Sequence, residues 1–380
     1  MATIVDGAKF TSLPAWIKLE FLRERGFYIG LAAFVFVTIF LAALRGETLF
    51  PHLAEYGVRL VRVLAAAFSG LLIVLCLRAL ILGGNGSLLG SIFASAKSII
   101  AMRFARFVYA CVLLTFFMAA FLYHKTNIPI VTPFQWDATF AHWESAMLGG
   151  RQPWEFIHPL VGYPPVTIAL DLIYSSWVVM VFMVWAGLLV SARTPRELRM
   201  RYWRATIISW LVIGVVMAMV FSSAGPCFFG DVVPAIPNPF AGLDQYLARV
   251  NQIFPLSQMV SRNFLWDVYT GQSELPGGIS AMPSMHNAQA ALFVAVGFSL
   301  SSRLGAAMLV YAILIFVGSI HLGWHYALDG IVGWIAAAAI WLACGWRLRK
   351  PDAASIDAPA ALADQLASSS IAPEHACRMK

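Results

Sequence analysis

Long apolar runs broken by short polar segments dominate this chain. Eight of them, 27–44, 60–82, 104–124, 166–190, 204–222, 286–302, 304–320 and 326–346, lie near the ~20 residues that carry a helix across a bilayer. The runs are continuous rather than alternating, so they predict helices and not barrel strands. One of the two shortest, 304–320, is kept because its removal would put two histidine-bearing helix mouths, at 286 and 325, on opposite membrane faces.

Composition agrees with a polytopic membrane protein: 60% of the 380 residues are hydrophobic, 12% are charged, and the mean hydropathy is +0.76. Basic residues fix an expected orientation. Lys97, Arg103, Arg106, Arg193, Arg196, Arg199, Arg201, Arg204, Arg303, Arg347, Arg349 and Lys350 flank the turns of one side. Lys125, Arg151, Arg249 and Arg262 are thinly spread over the long loops of the other. The positive-inside rule then places both termini in the cytoplasm, with Arg45, Arg59 and Arg62 fitting less well. The net charge of +7 resides mostly in these inner flanks and reflects topology and anionic headgroups. No basic-aromatic patch marks a nucleic-acid partner. The first 26 residues lack a small-residue cleavage site and are expected to be retained. Five cysteines, one of them in an outward loop, give neither a disulfide framework nor metal spacing.

Three parts are expected: 1–103 with two transmembrane helices, a membrane core over 104–346, and a disordered cytoplasmic tail over 347–380. Residues 83–98 read as a linker or an interfacial helix. Two outward loops, 125–165 and 223–285, interrupt the core. Trp136, Trp143, Trp154 and Tyr163 in the first predict amphipathic surface helices, acting as interfacial anchors or as a roof over a lipid-binding cleft. Seven prolines in the second predict a structured cap.

Two polar islands carry the candidate chemistry. His325 and Asp329, in Gly323-Trp324-His325-Tyr326-Ala327-Leu328-Asp329, stand four apart at the mouth of the last apolar run. That spacing puts a carboxylate beside an imidazole on one helix face. Pro283-Ser284-Met285-His286 opens the run two segments earlier, on the same expected face. Ionisable groups entering membrane helices are costly and point to function. A neutral imidazole can attack phosphorus while Asp329 orients it, and a second imidazole can serve as general acid and base. The start of the 286 helix adds exposed N–H groups and a dipole that favours an anion. Ser284, Ser319, His321, Arg249 and Arg262 are candidates for binding the substrate.

The strings Pro283-Ser284-Met285-His286 and His325-Tyr326-x-x-Asp329 resemble the paired motifs of the type 2 phosphatidic acid phosphatase superfamily, in particular its inositol phosphorylceramide synthase-like branch. The resemblance spans about residues 104–346. It implies an all-α polytopic bundle, with a six-helix core preceded by two extra spans. It also implies a phosphohistidine mechanism needing neither metal nor cofactor, with His325 as nucleophile, Asp329 as its partner and His286 as acid/base. The family pattern departs here at three cations. Ala218 stands at its lysine, Gly225-Pro226 at its Arg-Pro, and Gly318-Ser319 at its Ser-Arg. A doubly charged phosphomonoester loses more from such absences than a phosphodiester does.

The expected activity is therefore transfer of a phospholipid's phospho-headgroup to a lipid alcohol such as ceramide. The expected site is periplasmic in a bacterial inner membrane, or luminal in a eukaryotic cell. A lipid phosphatase using water is the alternative, and a non-catalytic lipid-binding scaffold or transporter the alternative of another class. No partner subunit is implied.

Overall fold

The computed structural model describes residues 3–5, 8–10, 25–58, 60–62, 65, 69, 105–191 and 194–349. The expected span 60–82, the linker 83–98 and the tail from 351 onward lie largely or wholly outside these residues. A short antiparallel ribbon pairs β1 (Thr3–Val5) with β2 (Ala8–Phe10), Thr3 opposite Phe10. The remaining elements are helical, and the chain folds as a polytopic helical bundle.

Helix α1 (Arg25–Leu44) packs along α2 (Ala105–Val131). Thr38 and His124 share a 2.9 Å hydrogen bond, and the Phe34 ring stacks on His124. Then come α3 (Asp137–Met147) and α4 (Pro153–Val161), and a rod made of α5 (Pro164–Ser175) and α6 (Trp177–Val190). Helix α7 (Arg196–Leu211) continues through a π-helical turn, Val212–Met217, to Val220. The cap contains α8 (Ala241–Ile253) and α9 (Ser257–Tyr269), and α10 (Met285–Leu300), α11 (Ser302–His321) and α12 (Ala327–Arg349) complete the bundle.

Among the described residues five segments are long and apolar enough to cross a membrane: Cys111–Val131, Pro164–Trp185, Arg196–Val220, Ser302–His321 and Ala327–Gly345. Tyr28–Leu44 and Met285–Leu300 are shorter apolar helices. One boundary moves in a way that matters. The segment expected to end at 124 runs on as helix to Val131, so Lys125 belongs to a helix and not to a loop. Thr126 and Asn127 sustain it by donating to the carbonyls of Leu122 and Tyr123, which satisfies their polar atoms inside the helix.

Asp171 caps a helix, but in trans: from α5 its carboxylate accepts the N–H groups of Ser257 and Gln258 at the start of α9. The two ends of the bundle differ chemically. Arg201, near the start of α7, donates to the Trp341 carbonyl late in α12 and lies over the Trp341 ring. At the opposite end, the turn after α7 packs against the turn before α12, with Cys227 N–H donating to the Gly323 carbonyl. The arginine-rich ends and the two histidine islands therefore occupy opposite ends.

Candidate active site

His286 and His325 arrive from different helices and line one cavity of about 530 Å³. Their ring centroids are 6.0 Å apart. His286 stands in the first turn of α10, whose N-terminus is capped by Ser284: the Ser284 hydroxyl accepts from the Asn287 N–H and side-chain amide. Its imidazole stacks on Tyr174 at 4.6 Å and packs against Trp177 at 4.2 Å, so aromatic faces hold the ring in place.

His325 sits in the turn between α11 and α12, 6% exposed, and its backbone N–H donates to the Ser319 carbonyl. Its Nδ1 faces Asp329 Oδ2 at 3.3 Å, and the same oxygen accepts the Tyr326 N–H at 3.0 Å. The other ring nitrogen takes no part in that pairing. Burial pushes the His325 imidazole down to about 3, the Lys125 charge adds to this, and a backbone hydrogen bond at Ala281 opposes it. His325 is thus neutral at physiological pH, the form a nitrogen nucleophile requires.

Below the histidines the cavity wall is apolar and aromatic, with Phe121, Val181, Phe182, Trp185 and Trp210. On the cap side Ser257, Gln258, Ser261 and Ser280 line it. Polar groups at one end and an apolar arm at the other suit an amphiphile held with its headgroup near the histidines. Tyr56 also contributes to the wall, so the segment before the core helps close the cavity.

A match to the PAP2 superfamily model covers residues 138–343, more than half of the chain. The chain belongs to the PAP2 superfamily. Comparisons with curated proteins and with solved structures give no match. PAP2 membership supports an enzyme of phosphatase or phosphotransferase type acting on lipids.

The PAP2 motifs converge here, but other residues expected to bind substrate do not join them. Ser284 and Ser319 are fully buried and bridged by Asn287, which donates to both hydroxyls. His321 shares a 2.9 Å hydrogen bond with Thr167, which also bonds Tyr246, and it does not line the cavity. Arg262 donates to the Cys227 carbonyl and pairs with Asp231. Arg249 is exposed on α8. Neither arginine lines the cavity. Loop membership had made them candidates, whereas the direction of each side chain is set by tertiary contacts.

Three residues at the site escaped the sequence reading. Lys125 lines the cavity. Asp137 and Glu144, seven apart on one face of α3, are 1% and 2% exposed and grip the His325–Asp329 turn. Asp137 accepts the Ala224 and Gly225 N–H groups and the Tyr326 hydroxyl, at 2.9, 2.8 and 2.9 Å. Glu144 accepts the Leu328 N–H at 2.9 Å, at the start of α12. Helix α3 is therefore fastened over the His325–Asp329 turn. The signal in the sequence was two carboxylates in register with the buried face of Phe140 and Ala141.

Burial pushes the Glu144 carboxyl up to about 8, with the Leu328 N–H opposing. This lies above its ordinary 4.5, so the folded protein keeps a proton that the unfolded chain has released. The stabilisation is complete below about 4.5 and is lost as pH rises through about 8. Wild-type thermal stability in detergent should fall across that window. Glu144→Gln keeps an acceptor for Leu328 without the titration, and should flatten the profile. An unchanged fall in the Gln variant would refute the assignment.

Proposed function

We propose that this PAP2 protein is a phospholipid headgroup phosphotransferase that works through a phosphohistidine at the outer membrane face. The observation that carries the proposal is the pair of histidines facing across one cavity, with Asp329 behind only one of them. In the first step the ring nitrogen of His325 turned away from Asp329 attacks phosphorus and an N–P bond forms. The P–O bond to the diacylglycerol oxygen breaks, and His286, protonated alongside the anionic phosphate, gives its proton to that oxygen. Asp329 accepts the Nδ1–H of His325 and balances the positive charge that develops on its ring. In the second step an acceptor hydroxyl passes its proton to His286 and attacks phosphorus, and the N–P bond breaks. A new lipid phosphodiester leaves, and both histidines return to their starting states.

The likeness of the Pro-Ser-x-His and His-Tyr-x-x-Asp strings to the inositol phosphorylceramide synthase-like branch supports an inositol phosphate headgroup and a ceramide-like acceptor. The contrast between an arginine-rich end and a histidine end supports a periplasmic or luminal site, with both termini cytoplasmic.

Purified protein given a headgroup-labelled phospholipid should form a new lipid phosphodiester only when a ceramide-like acceptor is added. Labelled headgroup phosphate or inorganic phosphate, released at the same rate with or without acceptor, would show a hydrolase instead. No turnover across donor and acceptor panels would favour a lipid-binding scaffold.

A further inference from the structure

Met118, Phe121, Leu122 and Lys125 recur at the i, i+3, i+4, i+7 spacing of one helix face, and all four line the cavity. Lys125 ends this stripe. Among the described residues it is the one charged side chain in the lining, and no described carboxylate lines the cavity to neutralise it. It lies within electrostatic reach of both His286 and His325.

Its backbone is firmly placed. The cap strand leading to the Pro283-Ser284-Met285-His286 string crosses directly over it. A Cβ at Gly278 would fall 2.5 Å from the Lys125 carbonyl oxygen, so only glycine permits the crossing. The next two residues bond back into α2 and keep the helix regular beyond the lysine.

Within a membrane protein, an ammonium that lines a cavity without a counter-charge marks a substrate path. The partner that the cavity itself lacks is an anion. We infer that Lys125 binds the phosphate of the donor lipid, and that its single charge matches the site to a phosphodiester rather than to a doubly charged phosphomonoester. The inference rests on the transferase reading above. It adds the contact that holds the donor's phosphate between the two imidazoles. A lysine suits this task as a point charge that need not grip two oxygens at once.

The test separates binding from turnover. In the His325→Ala background, binding is measured to vesicles of a neutral carrier lipid doped with phosphatidylinositol, phosphatidic acid or diacylglycerol. Adding Lys125→Met should weaken phosphatidylinositol binding about 10- to 100-fold, the range for losing one charged hydrogen bond. Diacylglycerol binding should not change, and Lys125→Arg should restore most of the loss. Undiminished phosphatidylinositol binding in Lys125→Met would overturn the inference. So would an equal loss for diacylglycerol, which marks a packing role. Tighter binding of phosphatidic acid than of phosphatidylinositol would overturn the charge matching. Absence of turnover in the wild-type protein counts against the transferase reading alone, and the binding comparison still decides Lys125.

Discussion

Replacing His325 by alanine is expected to lower turnover by about 10⁴-fold or more, as when a covalent nucleophile is removed from a residue set that works as a unit. No other imidazole can take its place. His286 is wedged between Tyr174 and Trp177 and has no carboxylate behind it comparable to Asp329. The substitution should leave the fold in place. Asp329 keeps the Tyr326 N–H, and α3 keeps its hold on the turn through Asp137 and Glu144. The check is turnover beside a thermal unfolding profile in the same detergent. A His325→Ala protein that unfolds like the wild type and turns over at a similar rate would refute the mechanism.

Gly225→Arg is expected to do the reverse, damaging the fold before the chemistry. Arginine is what the resemblance places at this position, so the substitution looks like a restored phosphate contact. The backbone forbids it. Gly225 has φ +102°, and a Cβ there would lie 2.6 Å from the Trp324 carbonyl oxygen. Conformational strain of this kind costs on the order of 1–3 kcal/mol before any clash is relieved. Relief would push on Trp324, the residue next to His325, and disturb the Gly225 N–H bond to Asp137. The unfolding temperature should drop by roughly 5 °C or more, with low yield of folded protein and loss of turnover. Wild-type stability with gained activity towards phosphomonoesters would show that the turn can open to admit a cation.

The absent cations thus have a structural counterpart. Ala218 is buried, Gly225 is closed off by Trp324, and Ser319 is fully buried and bonded to Asn287. None of the three positions lines the cavity, and Lys125 lines it from a different helix.

His286, His325 and Asp329 were legible in the sequence because each lies where an apolar run begins, and because the His325–Asp329 pair is local, four residues apart. Helical pattern and spacing suffice for such features. Lys125 was hidden because the polar string His124-Lys125-Thr126-Asn127 looks like the end of a span. Only the folded structure shows that Thr126 and Asn127 spend their polarity on their own helix and that the lysine lines the cavity. Asp137 and Glu144 were hidden for another reason. Their partners Tyr326 and Leu328 lie 189 and 184 residues away, and aromatic neighbours made α3 look like a simple interfacial anchor. Arg249 and Arg262 show the opposite failure: a cation in the right loop was counted although its side chain serves the surface or the cap.

The most direct test is to trap the intermediate. Wild-type protein is mixed with a donor labelled in its phosphate, without acceptor, then denatured and digested. Acid-labile, base-stable label on the peptide carrying His325, discharged when acceptor is supplied before the quench, is the predicted result. Acceptor-dependent product forming with no label on His325, or label on His286 instead, would contradict the account.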